Sequence, residues 1–279
     1  MKTAVIIGLG LIGGSMALEL RKRCGHQIWG IDANAENAQK ALALNIIDKI
    51  VDYNHITNAD MTIVAVPVDI IPKVLQEALN YAGEQTVVMD MGSVKGSICK
   101  SVENHPNRKN FVASHPMAGT EFSGPEAAIY NLFDHKVMVF CETEKSDKHL
   151  VKKAIEFAQR LNMRIKILSP EAHDRHTAYV SHLSHVSSFM LGKTVLEIEK
   201  DEQNIFDLAS TGFASTVRLA KSDAAMWCPI FLENRENVLK SLDEYIKNLE
   251  EFRTLIQNQE DKKIRKTIKE INYIKKILK

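Results

Sequence analysis

The sequence predicts an α/β fold: a doubly wound, mostly parallel sheet followed by an all-helical region. Three observations predict it. Short apolar runs alternate with helically spaced segments through residue 168. These runs are continuously apolar instead of alternating, as strands buried on both faces require. After Ser169-Pro170 no strand pattern remains, and glycine is reduced to Gly192 and Gly212.

The apolar runs are Ala4–Ile7, Gln27–Ile31, Met61–Val66, Thr86–Met91, Phe111–Ala113, Val137–Phe140 and Arg164–Leu168. Leu11–Arg21, Ile70–Tyr81 and Asp147–Leu161 carry helical spacing between them. Pro170 suits the first turn of a helix. Val238, Leu242, Tyr245, Leu249 and Phe252 then repeat at helical spacing. The expected division is a sheet domain over 1–168 and a helical domain over 169–279, two domains for 279 residues. The tail from Asp261 to Lys279 holds eight Lys/Arg and two acids, with Ile264, Ile268, Ile271 and Leu278 on one face. It reads as a helix packed on its own protein or a second subunit, the setting a short helix needs. The alternative is a basic amphipathic helix on a membrane surface.

Composition excludes several classes. Hydrophobic residues at 45% and charged residues at 25% are those of a globular chain, not a disordered one. Lys+Arg at 36 against Asp+Glu at 35 leaves a net charge of +1, so no field steers the protein to nucleic acid. No apolar run is long enough for a membrane-spanning helix. The opening MKTAVIIGLGLIGGS is broken by glycine and lacks a cleavage site, so it reads as a strand entering a turn, not a signal peptide. Cys24, Cys99, Cys141 and Cys228 form no CxxC pair. That suits reduced cytoplasmic thiols and no metal site.

The turn Gly8-Leu9-Gly10-Leu11-Ile12-Gly13 follows the first run and opens a helix. A second run ends in Asp32, about 20 residues beyond the last glycine. Gly8 permits the tight turn, Gly10 lets a pyrophosphate approach the backbone, and Gly13 lets helix and strand pack closely. The helix N-terminus favours phosphate. Asp32 accepts hydrogen bonds from ribose hydroxyls and repels a 2′-phosphate, and no Arg or Lys follows at once. The pattern is a Rossmann-type nucleotide site that favours NAD over NADP.

Ligands of such sheets bind beyond the carboxyl ends of the strands. Val66-Pro67-Val68, the segment Asp90–Gly96 with Ser93, and the segment Ser114–Glu121 with His115 all fall there. A hydroxyl, an imidazole and a nucleotide cradle on one rim suit a dehydrogenase acting on an alcohol. Histidine suits the base because its ordinary pKa is near 6.5.

These residues carry a family resemblance. GLGLIGGS at 8–15, DMGSVKG at 90–96 and HPMAGTE at 115–121 resemble the prephenate dehydrogenases. SPEAHD at 169–174, VSHLSH at 180–185, VRLAKSD at 217–223 and MWCPIFLENRENV at 226–238 continue the likeness in order. The resemblance is to the short form, without a fused chorismate mutase or ACT domain. It implies oxidative decarboxylation of prephenate to 4-hydroxyphenylpyruvate with NAD, in tyrosine biosynthesis, by a homodimer joined through the helical domain. It implies that His115 takes the ring hydroxyl proton and that Ser93 bonds the same hydroxyl or orients His115. It implies that Arg218 clamps a substrate carboxylate, with His185 towards the substrate and Thr120 and Glu121 at the pocket mouth. Gly8, Gly10, Leu11, Ile12, Gly13, Asp32, Val66 and Pro67 are the expected cofactor contacts. Ser215 stands where close relatives carry an acid, which puts any ion pair built on that acid in doubt. Tyrosine is an expected inhibitor because it resembles the product.

His173, His176, His182 and His185 invite a metal reading, but no open ligand pattern accompanies them, and no metal is expected. Alternatives are an arogenate or dual-substrate enzyme, another two-domain NAD(P) hydroxyacid dehydrogenase, and a non-catalytic nucleotide sensor. The His-Pro loop at 115–116 argues against the other hydroxyacid dehydrogenases, and the full set of proton acceptor and carboxylate clamp argues against the sensor.

Overall fold

The computed structural model describes residues 2–202 and 204–277. The strands are β1 (Thr3–Ile7), β2 (Gln27–Ile31), β3 (Lys49–Ile50), β4 (Met61–Val64), β5 (Val87–Asp90), β6 (Phe111–Pro116), β7 (Val137–Cys141) and β8 (Arg164–Leu168). They form one eight-stranded sheet in the order β3-β2-β1-β4-β5-β6-β7-β8. Every pairing is parallel except β6 with β7. The strand order reverses at β1, so a crevice opens beyond the carboxyl ends of β1 and β4.

Side chains alternate between two cores. Ala4 and Ile6 of β1 face α1 (Leu11–Cys24), α2 (Ala35–Ala43) and α5 (Lys148–Arg160) through Met16, Leu20, Ala41 and Phe157. Val5 and Ile7 face α3 (Ile71–Asn80) and α4 (Gly96–Ser101) through Leu75, Leu79 and Ile98. The expected sheet covered on both faces is therefore present at its centre, while the edge strand β8 stays more exposed.

Three local features differ from the sequence reading. β3 spans two residues, too few to show a pattern. α2 is a further helix beyond those the spacing predicts; Asn34 caps it, accepting Glu36 N–H at 2.8 Å. β4 stops at Val64 instead of Val66, leaving two residues before Pro67, which has no N–H for a ladder.

Beyond Leu168 the described residues form helices and turns. α6 (Pro170–Thr177) is capped by Ser169, which accepts Ala172 N–H at 3.2 Å. A wide π turn over Ala178–His182 leads into α7 (Leu183–Asp201). Then come α8 (Thr211–Thr216), a tight turn at Arg218–Lys221, and α9 (Ala224–Glu233) with Pro229 inside it. α10 (Arg235–Gln257) and α11 (Asp261–Ile271) complete the order. Trp227 and Ile230 of α9 join the core beneath α3 and α4, so the helical region seats on that face of the sheet. Ile268 and Ile271 of α11 stay exposed, while Leu278 lies outside the described residues. Among the described residues no helix is long and apolar enough to cross a membrane.

One buried ion pair braces the carboxyl edge. Lys95 is fully buried; its Nζ donates to the Asp90 carboxylate and, at 2.7 Å, to the Ser114 carbonyl. Asp90 accepts Gly92 N–H at 3.0 Å and Ser114 N–H at 3.1 Å. These bonds hold the loop after β5 against β6. Lys95→Met leaves the Asp90 charge buried without its partner and is expected to cost about 3–5 kcal/mol in urea unfolding. Adding Asp90→Asn removes that charge and should recover part of the loss; strictly additive losses would show that the pair is not coupled.

Candidate active site

A cavity of about 580 Å³ lies between the carboxyl edge of the sheet and the helical region. The glycine turn closes one end of it. Gly8 has φ +91°, and a Cβ there would stand 2.6 Å from the Ala65 carbonyl oxygen. A Cβ on Gly13 would stand 1.9 Å from the Gly8 carbonyl oxygen, so α1 presses on the turn. Gly10 differs: a Cβ there would meet nothing within 4 Å. Gly10 therefore leaves open space above the start of α1, where backbone amides favour a phosphate. Asp32 is held before this turn, accepting Leu9 N–H and Asn34 N–H, both at 2.8 Å. This cradle and carboxylate fit a dinucleotide with a free ribose diol.

The structure brings most of the anticipated residues to one cavity. Gly10, Leu11, Ile12, Val66, Pro67 and Ser93 line the cavity from the sheet side. His115, Thr120 and Glu121 line it beyond β6, and His185 and Arg218 line it from the helical region. Gly8, Gly13 and Asp32 stand outside the lining, behind and beside the turn.

His115 is buried at the end of β6, paired in the ladder with Val139. Its Nδ1 lies 2.8 Å from His173 Nε2. No described hydrogen bond joins it to Ser93, so orienting His115 falls to α6. His173 Nδ1 lies 2.8 Å from Asp174 Oδ1. Asp174 also accepts the N–H groups of Lys95 at 2.7 Å and Gly96 at 2.8 Å, which open α4. Its carbonyl accepts from the Asn234 side chain at 2.7 Å.

Burial lowers the pKa of each imidazole of this cluster. Burial, together with the facing His173, Lys95 and His182, holds His115 well below the ordinary imidazole range. Burial also lowers His173, against the opposing pull of Asp174, and takes His182 down to about 4. His185 is lowered by burial and by Arg218. Its ring stacks on Trp227 with centroids 3.4 Å apart, and its Nδ1 lies 3.0 Å from the Ser181 carbonyl.

Arg218 is half exposed, with Nη1 at 3.2 Å from Glu121 Oε2. The acid facing it is thus Glu121, while Ser215 turns away and donates to the Gly212 carbonyl at 2.9 Å. Among the described residues no group of His, Cys, Asp or Glu is arranged to hold a metal, and His176 is exposed. Sequence reasoning missed Lys95, His173, Asp174 and Trp227 as parts of this site. The first three sit in the quoted DMGSVKG and SPEAHD segments, where the adjacent His-Asp pair was the one available signal.

The comparisons with known proteins agree. Residues 16–167 match the family described as prephenate dehydrogenase, nucleotide-binding domain. Residues 169–270 match prephenate dehydrogenase, dimerization domain. The chain is 33% identical to the prephenate dehydrogenase of Bacillus subtilis, covering 93% of this chain and 71% of that protein. It is 32% identical to the cyclohexadienyl dehydrogenase of Zymomonas mobilis, covering 93% and 90%. The crystal structure of prephenate dehydrogenase from Aquifex aeolicus, in complex with hydroxyphenyl propionate and NAD+, is 33% identical. It superposes with a TM-score of 0.91 over 100% of this chain and 99% of that one. A nucleotide cradle, a buried histidine and a facing arginine on this sheet, with these matches along the chain, make it a member of the prephenate dehydrogenase family.

Proposed function

We propose that this chain catalyses the NAD-dependent oxidative decarboxylation of prephenate to 4-hydroxyphenylpyruvate. The observation that carries the reading is one cavity bordered by the open glycine turn, a buried neutral His115 and a cationic Arg218. NAD, when bound, supplies the hydride acceptor. The turn Gly8–Gly13 and the N-terminus of α1 would hold its pyrophosphate, Asp32 its adenosine ribose, and Val66 and Pro67 the neighbouring wall. His115 takes the proton of the ring hydroxyl as hydride leaves the same carbon. Ser93 donates to or accepts from that hydroxyl at the rim. Arg218 binds a substrate carboxylate through the fork of its guanidinium, with Thr120 and Glu121 beside it. His185, held against Trp227, faces the substrate from the helical side. Loss of the ring carboxylate as carbon dioxide makes the ring aromatic, so the protein mainly orients the substrate and accepts one proton.

Arogenate is the second reading, favoured by the likeness to a cyclohexadienyl dehydrogenase. We assign the nucleotide to residues 1–168 and the dimer contact to 169–279. Leu239, Ile246, Leu249 and Ile256 on α10 are exposed apolar residues in the region matching the dimerization family, which supports a homodimer. Tyrosine, which shares the product's hydroxyphenyl group, is the proposed inhibitor. Four unpaired thiols support a reducing, cytoplasmic setting.

NADH formation followed at 340 nm, with prephenate or arogenate and NAD or NADP, tests the reading. Prephenate with NAD should give the highest rate, and His115→Asn should lower kcat about 10²–10⁴-fold while NAD still binds. No turnover of either substrate by a protein that binds NAD would refute it. Gly10→Ala should leave the melting temperature unchanged, since its Cβ meets nothing, yet weaken NAD binding at least tenfold in a titration. An unchanged affinity would remove the phosphate from that turn. The base acts unprotonated, and its lowered pKa keeps it so in the free enzyme. kcat/KM should therefore stay level from pH 8 down to about 6.5 and fall only below that. A half-loss at or above that pH would contradict the neutral, buried His115.

A further inference from the structure

His115 has one ring nitrogen engaged by the protein and one left for the cavity it lines. The hydrogen positions along the chain His115–His173–Asp174 follow from its far end. Asp174 receives backbone N–H groups on both oxygens, from Lys95 on Oδ1 and Gly96 on Oδ2. Backbone amides only donate, so this carboxylate is an acceptor, and His173 Nδ1 carries a hydrogen towards it. A neutral His173 then has a bare Nε2, which accepts from His115 Nδ1–H. A neutral His115 is in turn left with a bare Nε2. His173 is 1% exposed and Asp174 6% exposed, so water does not compete for these bonds.

We propose that His173, anchored by Asp174, is a positioning residue that fixes the Nδ1–H tautomer of His115 and so presents an unprotonated Nε2 to the substrate hydroxyl. The inference rests on the proposed function, in which His115 is the base. Without an acceptor at its Nδ1, neutral His115 is free to carry its hydrogen on Nε2, and that form cannot take a proton there. When the hydroxyl proton moves to Nε2, Nδ1–H keeps donating to His173, and the Asp174 carboxylate lies one ring further on. The groups around the pair agree with neutral rings. His115 faces Lys95 and His182 as well as His173, and His173 faces Asp90 and Lys95 as well as Asp174. Asp174 cannot test the proposal cleanly, because it also holds the start of α4 and, through its carbonyl, Asn234.

The direct test is long-range ¹H–¹⁵N NMR of the ¹⁵N-labelled full chain near pH 7.5, with the His115 signals assigned by their loss in His115→Asn. The expected result is a protonated Nδ1 and an unprotonated Nε2; the opposite tautomer overturns the proposal without reference to any variant's folding. The kinetic test compares two substitutions. His173→Leu should lower kcat about 10²-fold or more, with the KM values for prephenate and NAD within about threefold. His173→Gln, whose amide oxygen can accept where Nε2 did, should restore kcat to within about tenfold of wild type. A wild-type kcat in His173→Leu beside an inactive His115→Asn overturns this inference alone. A wild-type rate in His115→Asn overturns the functional reading and this inference with it.

Discussion

The Asp174 carboxylate is the constraint on which the site depends. It belongs to the helical region, yet it accepts both amides that open α4 on the sheet side, and it holds His173 against His115. The first amides of a helix have no partner within the helix, so a carboxylate supplied from elsewhere satisfies them and complements the helix dipole. A surface ion pair would not suffice for this task, because water would compete. Here the side chains are buried, and each donor has one acceptor. The joint between the two halves is therefore also what holds His173 against His115.

The same economy governs the rest of the rim. Lys95 is held by its backbone to Asp174 and by its side chain to Asp90 and Ser114, so the residue preceding His115 in the chain is tied to the loop carrying Ser93. Its buried positive charge disfavours a second one on His115. Asp32 braces the glycine turn at the other end, accepting Leu9 N–H on one oxygen and Asn34 N–H on the other. Rigid supports of this kind leave few groups to reorganise when substrate and nucleotide arrive.

Much of this was legible in the sequence, for physical reasons. Buried parallel strands write continuous apolar runs, as in β1, β4 and β5; the limits Gln27–Ile31 and Arg164–Leu168 coincide with β2 and with β8, a more exposed edge strand. The glycine turn was legible because steric limits at Gly8 and Gly13 admit no side chain. The rim residues followed from topology, since a parallel sheet gathers its loops at one edge. What stayed hidden depends on three-dimensional pairing. Nothing local shows that Lys95 is buried, because its compensation by Asp90 and the Ser114 carbonyl is a matter of folding. His173 and Asp174 read as helix residues until β6 is set beside α6. The resemblance suggested Ser93 as one way to orient His115, and the structure instead puts His173 at its Nδ1.

Nicotinamide reduction alone does not distinguish oxidation of a simple hydroxyacid from the aromatising reaction this site is built to guide. The most direct measurement is the ratio of carbon dioxide released to NADH formed, followed in one reaction with prephenate labelled at the ring carboxylate. One carbon dioxide is expected for each NADH, with 4-hydroxyphenylpyruvate as the product. NADH formed without carbon dioxide, or carbon dioxide without NADH, would contradict it.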